Sequence, residues 1–232
     1  MQKNLYLVFD TETCNTPKIN GQLDVENGQV YDLGIQIVDN NGFVYDEYSI
    51  VNEDVFFGLN DAMKEAYFAN KIPQYLEDMR MGKRKIMNTW QMYKLVRDLC
   101  EQYEIKACIA HNARFDIKVL NATLRYQTKS KRRFFFPYQM PIWDTMKMAN
   151  DTICKQSNYR TFCEQNGYMT NHATPQVRKT AEIIWRFLTN DNTFEEEHTG
   201  LADVTIEAQI FAECVRRHKK MERLAELEEG DF

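Results

Sequence analysis

An α/β domain with a mixed, five-stranded sheet is what this sequence predicts, from three observations. Residues 4–10 (Asn-Leu-Tyr-Leu-Val-Phe-Asp) are an apolar run ending in an acid, the pattern of a mostly buried strand. Two more apolar runs, Tyr31–Val38 and Phe43–Val51, are joined by Asp39-Asn40-Asn41-Gly42, a strong hairpin signal. Beyond residue 103, short apolar runs alternate with helical periodicity, which favours helices packed on a sheet.

In order along the chain, the first three strands are expected as antiparallel neighbours. A polar stretch with Pro17, Gly21 and Gly28 separates the first two. Residues 59–103 read as helical, with Ala62, Ala66, Phe68 and Ala69 in one segment. Trp90, Tyr93, Leu95, Val96, Leu99 and Cys100 mark a second. Lys106–Ala110 is the fourth strand and Arg114–Tyr126 a helix. The basic run Lys129–Arg133 and the aromatic run Phe134–Phe136 then precede the fifth strand at Ile142–Asp144. Helices are expected over 158–166, over 175–189 and from 200 to beyond 220. The charged residues 226–231 are expected to fray.

The chain has 232 residues, 44% of them hydrophobic, enough for a sizeable core. Its formal net charge of −5 argues against a protein that coats nucleic acid non-specifically, while leaving room for local positive charge. Six cysteines show neither C-x-x-C pairing nor zinc-finger spacing with histidine. The N-terminus runs straight into a strand, and no apolar run is long enough to span a bilayer. The expectation is a reduced, cytoplasmic setting with no membrane partner.

Three short patterns hold the candidate chemistry. Asp10 and Glu12 stand at i and i+2 near a strand end, so both carboxylates face the same side and can converge. Like charges held together need a cation or a proton. His111-Asn112-Ala113-Arg114-Phe115-Asp116 begins where the fourth strand stops, with Asn112 read as a helix N-cap and Asp116 as a first-turn acid. His198-Thr199-Gly200-Leu201-Ala202-Asp203 opens the last helix, with Thr199 as its cap. Val204, Ala208, Phe211, Ala212 and Val215 mark that helix's core face, and Asp203 and Glu207 lie one turn apart beside it. Each pattern alone has an ordinary structural explanation.

Taken together and in this order, D-x-E, H-N-x-x-F-D and H-x-x-x-x-D closely resemble the three motifs of the DnaQ-like, or DEDD, exonuclease superfamily. Histidine five residues before the last Asp, rather than tyrosine four before it, resembles the DEDDh branch, which includes bacterial proofreading subunits. Trp143-Asp144-Thr145 is similar to the pair that follows the family's fifth strand. The stretches from Lys179 and Phe194 are similar to stand-alone bacterial and phage members. Gly200 departs from the alanine often found after His-Thr. The resemblance implies a ribonuclease H-like fold and an exonuclease domain over 1–215. That domain has a polar loop insertion at about 14–30 and a helical insertion at about 52–90. A charged helix end or tail occupies 216–232.

The resemblance also implies a metal-dependent 3′–5′ exonuclease releasing nucleoside 5′-monophosphates, with Asp10, Glu12, Asp116, His198 and Asp203 as catalytic residues. Two divalent ions, Mg²⁺ or Mn²⁺, would be bound by Asp10, Glu12, Asp116 and Asp203, hard oxygen ligands suited to hard ions. His198 would be the general base. Thr11, Thr13, Asn112 and Phe115 are implied at the terminal nucleotide, although the helical spacing of Phe115 equally suits a core residue. The implied partner is a nucleic acid 3′ end, single-stranded DNA favoured over RNA. A polymerase or other replication partner is conceivable, but no docking peptide is evident. A catalytically silent nucleic-acid-binding module on the same fold is the alternative from another class, and the complete set of acids argues against it. Lys129–Arg133 reads as a solvated loop or a phosphate guide, and His111, His172 and His218 carry no role.

Overall fold

The opening apolar run becomes β1 (Leu5–Cys14), and its alternation puts Leu7 and Phe9 into one core and Tyr6 and Val8 into another. The computed structural model describes residues 3–14 and 28–217, together with the backbone of 18–19 and 22–23. β4 (Gln29–Asp39) pairs antiparallel with β1, and β5 (Val44–Asn52) pairs antiparallel with β4. The Asn-Asn-Gly turn between them forms as expected. Gly42 takes φ 76°, and the Asp39 carboxylate accepts from the Asn41 and Phe43 N–H groups at 2.9 and 3.2 Å. Two short strands, β2 (Lys18–Ile19) and β3 (Gln22–Leu23), pair with each other outside the main sheet.

The main sheet has six strands rather than five. Its order is β6-β5-β4-β1-β7-β8, with β7 at Cys108–Ala110 and β8 at Ile142–Asp144 running parallel to β1. The extra strand, β6 (Lys85–Met87), lies inside the region expected to be wholly helical and pairs parallel with β5. Here α1 (Glu53–Phe56), α2 (Asn60–Lys64), a 3₁₀ turn (Ala69–Lys71) and α3 (Ile72–Arg80) precede a stop at Gly82, φ 70°. Asn88 then starts α4 (Thr89–Gln102) with a capping box to Gln91. A three-residue strand between a glycine stop and a cap is too short to display an alternating pattern.

The other helices are α5 (Ala113–Thr128), α6 (Thr145–Ala149), α7 (Ser157–Asn166), α8 (Ala181–Thr189) and α9 (Gly200–Arg217). Helix α8 begins at 181 rather than 175. Residues 169 and 177 form a β-bridge, and the Thr180 hydroxyl caps the helix, accepting from the Ile183 N–H at 3.4 Å. Residues 218–232, most of the expected charged tail, lie outside the described residues, as do the side chains of 15–27. Helices α4 and α5 cover one face of the sheet. Helices α7, α8 and α9 cover the other, where Phe211 packs edge-on to Tyr6 at 4.9 Å. A third cluster, including Tyr31, Val51, Phe56, Met63 and Tyr75, packs with helices α1–α3. Among the described residues no helix is long and apolar enough to cross a membrane.

Candidate active site

The acids gather at the C-terminal ends of β1 and β7, where parallel strands leave a crevice. On β1, Asp10 lies opposite Gly34 and Glu12 opposite Asp32, and the ladder bulges just after Glu12. Asn112 follows β7 in a left-handed conformation (φ 69°) and makes no side-chain cap, contrary to the expected N-cap. Its N–H instead donates to Asp144 Oδ1 at 3.1 Å. The same oxygen caps α6 through Met146 N at 2.9 Å, so the Asp144-Thr145 pair braces the turn that launches α5. One turn into α5, buried Asp116 accepts the Thr11 hydroxyl at 2.7 Å.

Helix α9 brings the last acid in by a backbone-to-backbone approach. A Cβ on Gly200 would lie 2.5 Å from Gly34 N and 3.2 Å from Asp10 O. One on Gly34 would lie 2.1 Å from the Gly200 carbonyl carbon. Gly200 is thus required by contact with Gly34, the strand partner of Asp10. The Gly200 N–H also donates to Asp32 Oδ2 at 2.9 Å, and that oxygen takes Tyr75 Oη at 2.6 Å and the Arg84 guanidinium at 3.0 Å. Before the helix, His198 sits at φ 48°. Glu12, His198 and Asp203 each offer a ligand atom, all within 4.8 Å of one another. They line, with Asp10 and Asn112, a cavity of about 710 Å³.

Burial and mutual repulsion raise every carboxyl in this cluster. Burial, then Glu207 and Asp116, push Asp10 well up. Burial, then Asp203 and Asp32, push Glu12 to about 9, with Lys71 opposing. Burial, then Glu196, push Asp203 to about 8. Burial takes Asp116 to about 7 against the Thr11 hydrogen bond. Asp203 Oδ1 is buried without a hydrogen-bond partner among the described residues. A set of oxygen donors this crowded and undersatisfied fits a hard divalent cation, which would neutralise the repulsion and complete the orphaned oxygen. Burial, then Lys71, lower the His198 imidazole, keeping it neutral and able to accept a proton.

Of the other sequence-derived candidates, Thr11 lines the cavity, but its hydroxyl is engaged by Asp116. Phe115 packs against the α4–α5 core, and neither it nor Thr13 lines the cavity. Several neighbours went unassigned. Buried Glu207 accepts the His111 N–H at 3.2 Å, and its place one turn after Asp203 was the available signal. Glu196 Oε2 lies 3.8 Å from His198 Nδ1. His111 Nε2 donates to the Lys179 carbonyl at 2.6 Å, leaving Nδ1 for the Thr145 hydroxyl at 2.9 Å. From the segment between β5 and β6, Phe68 stacks face to face on His198, with centroids 4.5 Å apart at 15°. Lys71 Nζ lies 5.8 Å from the other ring partner, Phe68. No local pattern marked either.

No protein-family model matches the sequence, and no curated protein matches it. Solved structures do. A full-length 3′-exonuclease superposes with a TM-score of 0.58 at 11% identity, covering 99% of this chain and 92% of that one. The nuclease domain of 3′hExo, a DEDDh family member bound to rAMP, superposes with a TM-score of 0.55 at 11% identity, covering 97% of each chain. The fold is therefore the ribonuclease H-like α/β fold that these nucleases share, here with a mixed six-stranded sheet.

Proposed function

We propose that this chain is a metal-dependent 3′–5′ exonuclease of the DEDDh type, hydrolysing DNA from its 3′ end to nucleoside 5′-monophosphates. The observation that supports it most is the meeting of Glu12, His198 and Asp203 within 4.8 Å, beside Asp10, in one cavity. Asp10, Glu12 and Asp203 would hold the Mg²⁺ or Mn²⁺ ions, with Asp116 completing the acidic set. When bound, such ions orient water and neutralise the charge that develops on phosphorus oxygens and the leaving 3′-oxygen.

The remaining steps belong to the protein's own groups. Neutral His198 takes a proton from the attacking water as the new P–O bond forms and the P–O3′ bond breaks. The bond's electron pair leaves on the 3′-oxygen, which takes a proton from solvent, so the departing strand ends in a 3′-hydroxyl. Stacking on Phe68 and proximity to Glu196 restrict the imidazole, which sits on a left-handed residue before α9. Asn112 faces the cavity and supplies an amide for the terminal nucleotide. RNA is the second reading, favoured by the rAMP bound to the superposable 3′hExo domain.

The test is end-labelled single-stranded DNA, duplex DNA and RNA, each incubated with and without Mg²⁺ or Mn²⁺. A ladder shortening from the 3′ end only with metal is expected, DNA leading. His198→Ala should slow it by about 10²–10⁴-fold, the usual contribution of a positioned base. No ladder with either ion, or wild-type turnover in His198→Ala, would contradict the reading.

A further inference from the structure

Between Asp116 and Asp144 the chain has no acidic residue but six cations: Lys118, Arg125, Lys129, Lys131, Arg132 and Arg133. In a chain of net charge −5 this stretch is exceptional, and it is interleaved with aromatic rings. Arg133 lies 4.9 Å from the Trp90 ring, Arg125 5.0 Å from Phe134 and Lys129 4.4 Å from Tyr126. These rings are 44%, 54% and 48% exposed, and nearby Tyr138 is 86% exposed.

The strip is held in place. Helix α5 ends at Lys129 in a left-handed turn, φ 54°. Arg125 Nε donates back to the Arg133 carbonyl at 2.9 Å, and Asn121 Oδ1 accepts from Phe135 N at 2.8 Å. The Phe136 ring lies 4.8 Å from that of Phe9, the residue before Asp10, tilted by 48°.

The strip also lies at the active-site end of the sheet. Thr123 of α5 accepts the Val30 N–H at 2.9 Å, and Val30 pairs with Thr13, one residue past Glu12. Thr89, beside Trp90, is bonded to Asn52, whose amide also reaches the Val30 carbonyl at 3.0 Å. A strand with its 3′ end in the cavity and its upstream part turned to the α4–α5 side would therefore run toward this strip.

We propose that Trp90, Phe134 and Tyr138 with Lys131, Arg132 and Arg133 form a docking strip for the single-stranded nucleic acid just upstream of the 3′ end. The proposal rests on the nuclease reading for the direction of the strand. Arg133, already against the Trp90 ring, loses little freedom when a phosphate pairs with it, and exposed rings offer sequence-indifferent stacking. Phosphate contacts of this kind release counterions, so they are read directly in the salt dependence of binding.

The test uses the full chain carrying Asp203→Asn, which prevents consumption of the probe, and fluorescence anisotropy with oligothymidylates of about 4 and about 16 nucleotides. The triple variant K131E/R132E/R133E should weaken the longer oligonucleotide by at least about 10-fold and flatten its log–log salt slope by about 2, at roughly 0.7 per contact. The shorter one should bind as before. Trp90→Ala should cost the longer oligonucleotide about 5-fold with its salt slope kept. Unchanged binding of the longer strand, or equal loss for both lengths, would overturn the strip. Failure of the nuclease reading would show separately, as wild-type protein and Mg²⁺ or Mn²⁺ producing no ladder.

Discussion

The two ends of the β1–β4 ladder treat their carboxylates in opposite ways. At the far end, burial would raise Asp39, but hydrogen bonds from Asn41 N–H, Lys3 and Phe43 N–H outweigh it and the carboxyl is lowered. At the other end Asp10, Glu12 and Asp203 are raised, because burial and one another's charge meet no adequate set of donors. One strand pair thus contains a satisfied structural acid and, joined by Asp203 of α9, a group of acids held at a cost to the metal-free fold. Unsatisfied acids converging on a cavity are what a cation site requires, whereas an acid folded into a turn needs nothing further.

Asp32 stands between these cases and gives the largest expected effect. Burial raises it, yet Arg84 and Tyr75 bind it and Gly200 N–H ties it to α9. Arg84→Ala should cost about 3–5 kcal/mol in urea unfolding, because it strands a buried charge. A loss below about 1 kcal/mol would mean that Arg84 and Asp32 do not clamp α9.

A smaller effect is expected where the segment between β5 and β6 touches His198. Phe68→Ala should lower kcat about 10-fold, part of what a positioned base contributes, with KM nearly unchanged and Phe68→Tyr close to wild type. An equal rise in KM would make Phe68 a substrate contact instead. The smallest effect belongs to Asp39. Its folded pKa lies below the unfolded value, so its contribution is present above about pH 4 and lost as pH falls through the folded value. Denaturant midpoints of wild type and Asp39→Asn should therefore converge below that pH; a constant gap down to pH 2 would remove the linkage.

These regions were also unequally legible. β1, the β4–β5 hairpin and the ends of β7 and β8 carry local signals: apolar runs, Asn-Asn-Gly, an acid at a strand end. The i, i+2 rule likewise anticipated that Asp10 and Glu12 would share a face. The supports were not readable, because Phe68 and His198 are far apart in sequence and meet only through the fold. Arg84 falls in the stretch read as helical and its buried partner Asp32 in a run read as a strand, and nothing local pairs the two. β6 was too short to show a period. Asn112 followed capping statistics that its left-handed backbone overrides, and Thr11 turned to Asp116 because neighbouring strand residues face opposite sides.

Thermal unfolding with and without Mn²⁺ tests the cation site most directly, with Asp203→Asn alongside. At a hundredfold excess over Kd, bound metal should stabilise wild type by about 2.7 kcal/mol, or about 5–10 °C for a domain of this size. Asp203→Asn, freed of one repelling charge, should start at a higher metal-free Tm and rise little on adding Mn²⁺. A wild-type Tm indifferent to Mn²⁺ and Mg²⁺, or an equal rise in Asp203→Asn, would contradict the assignment of these acids to a metal site.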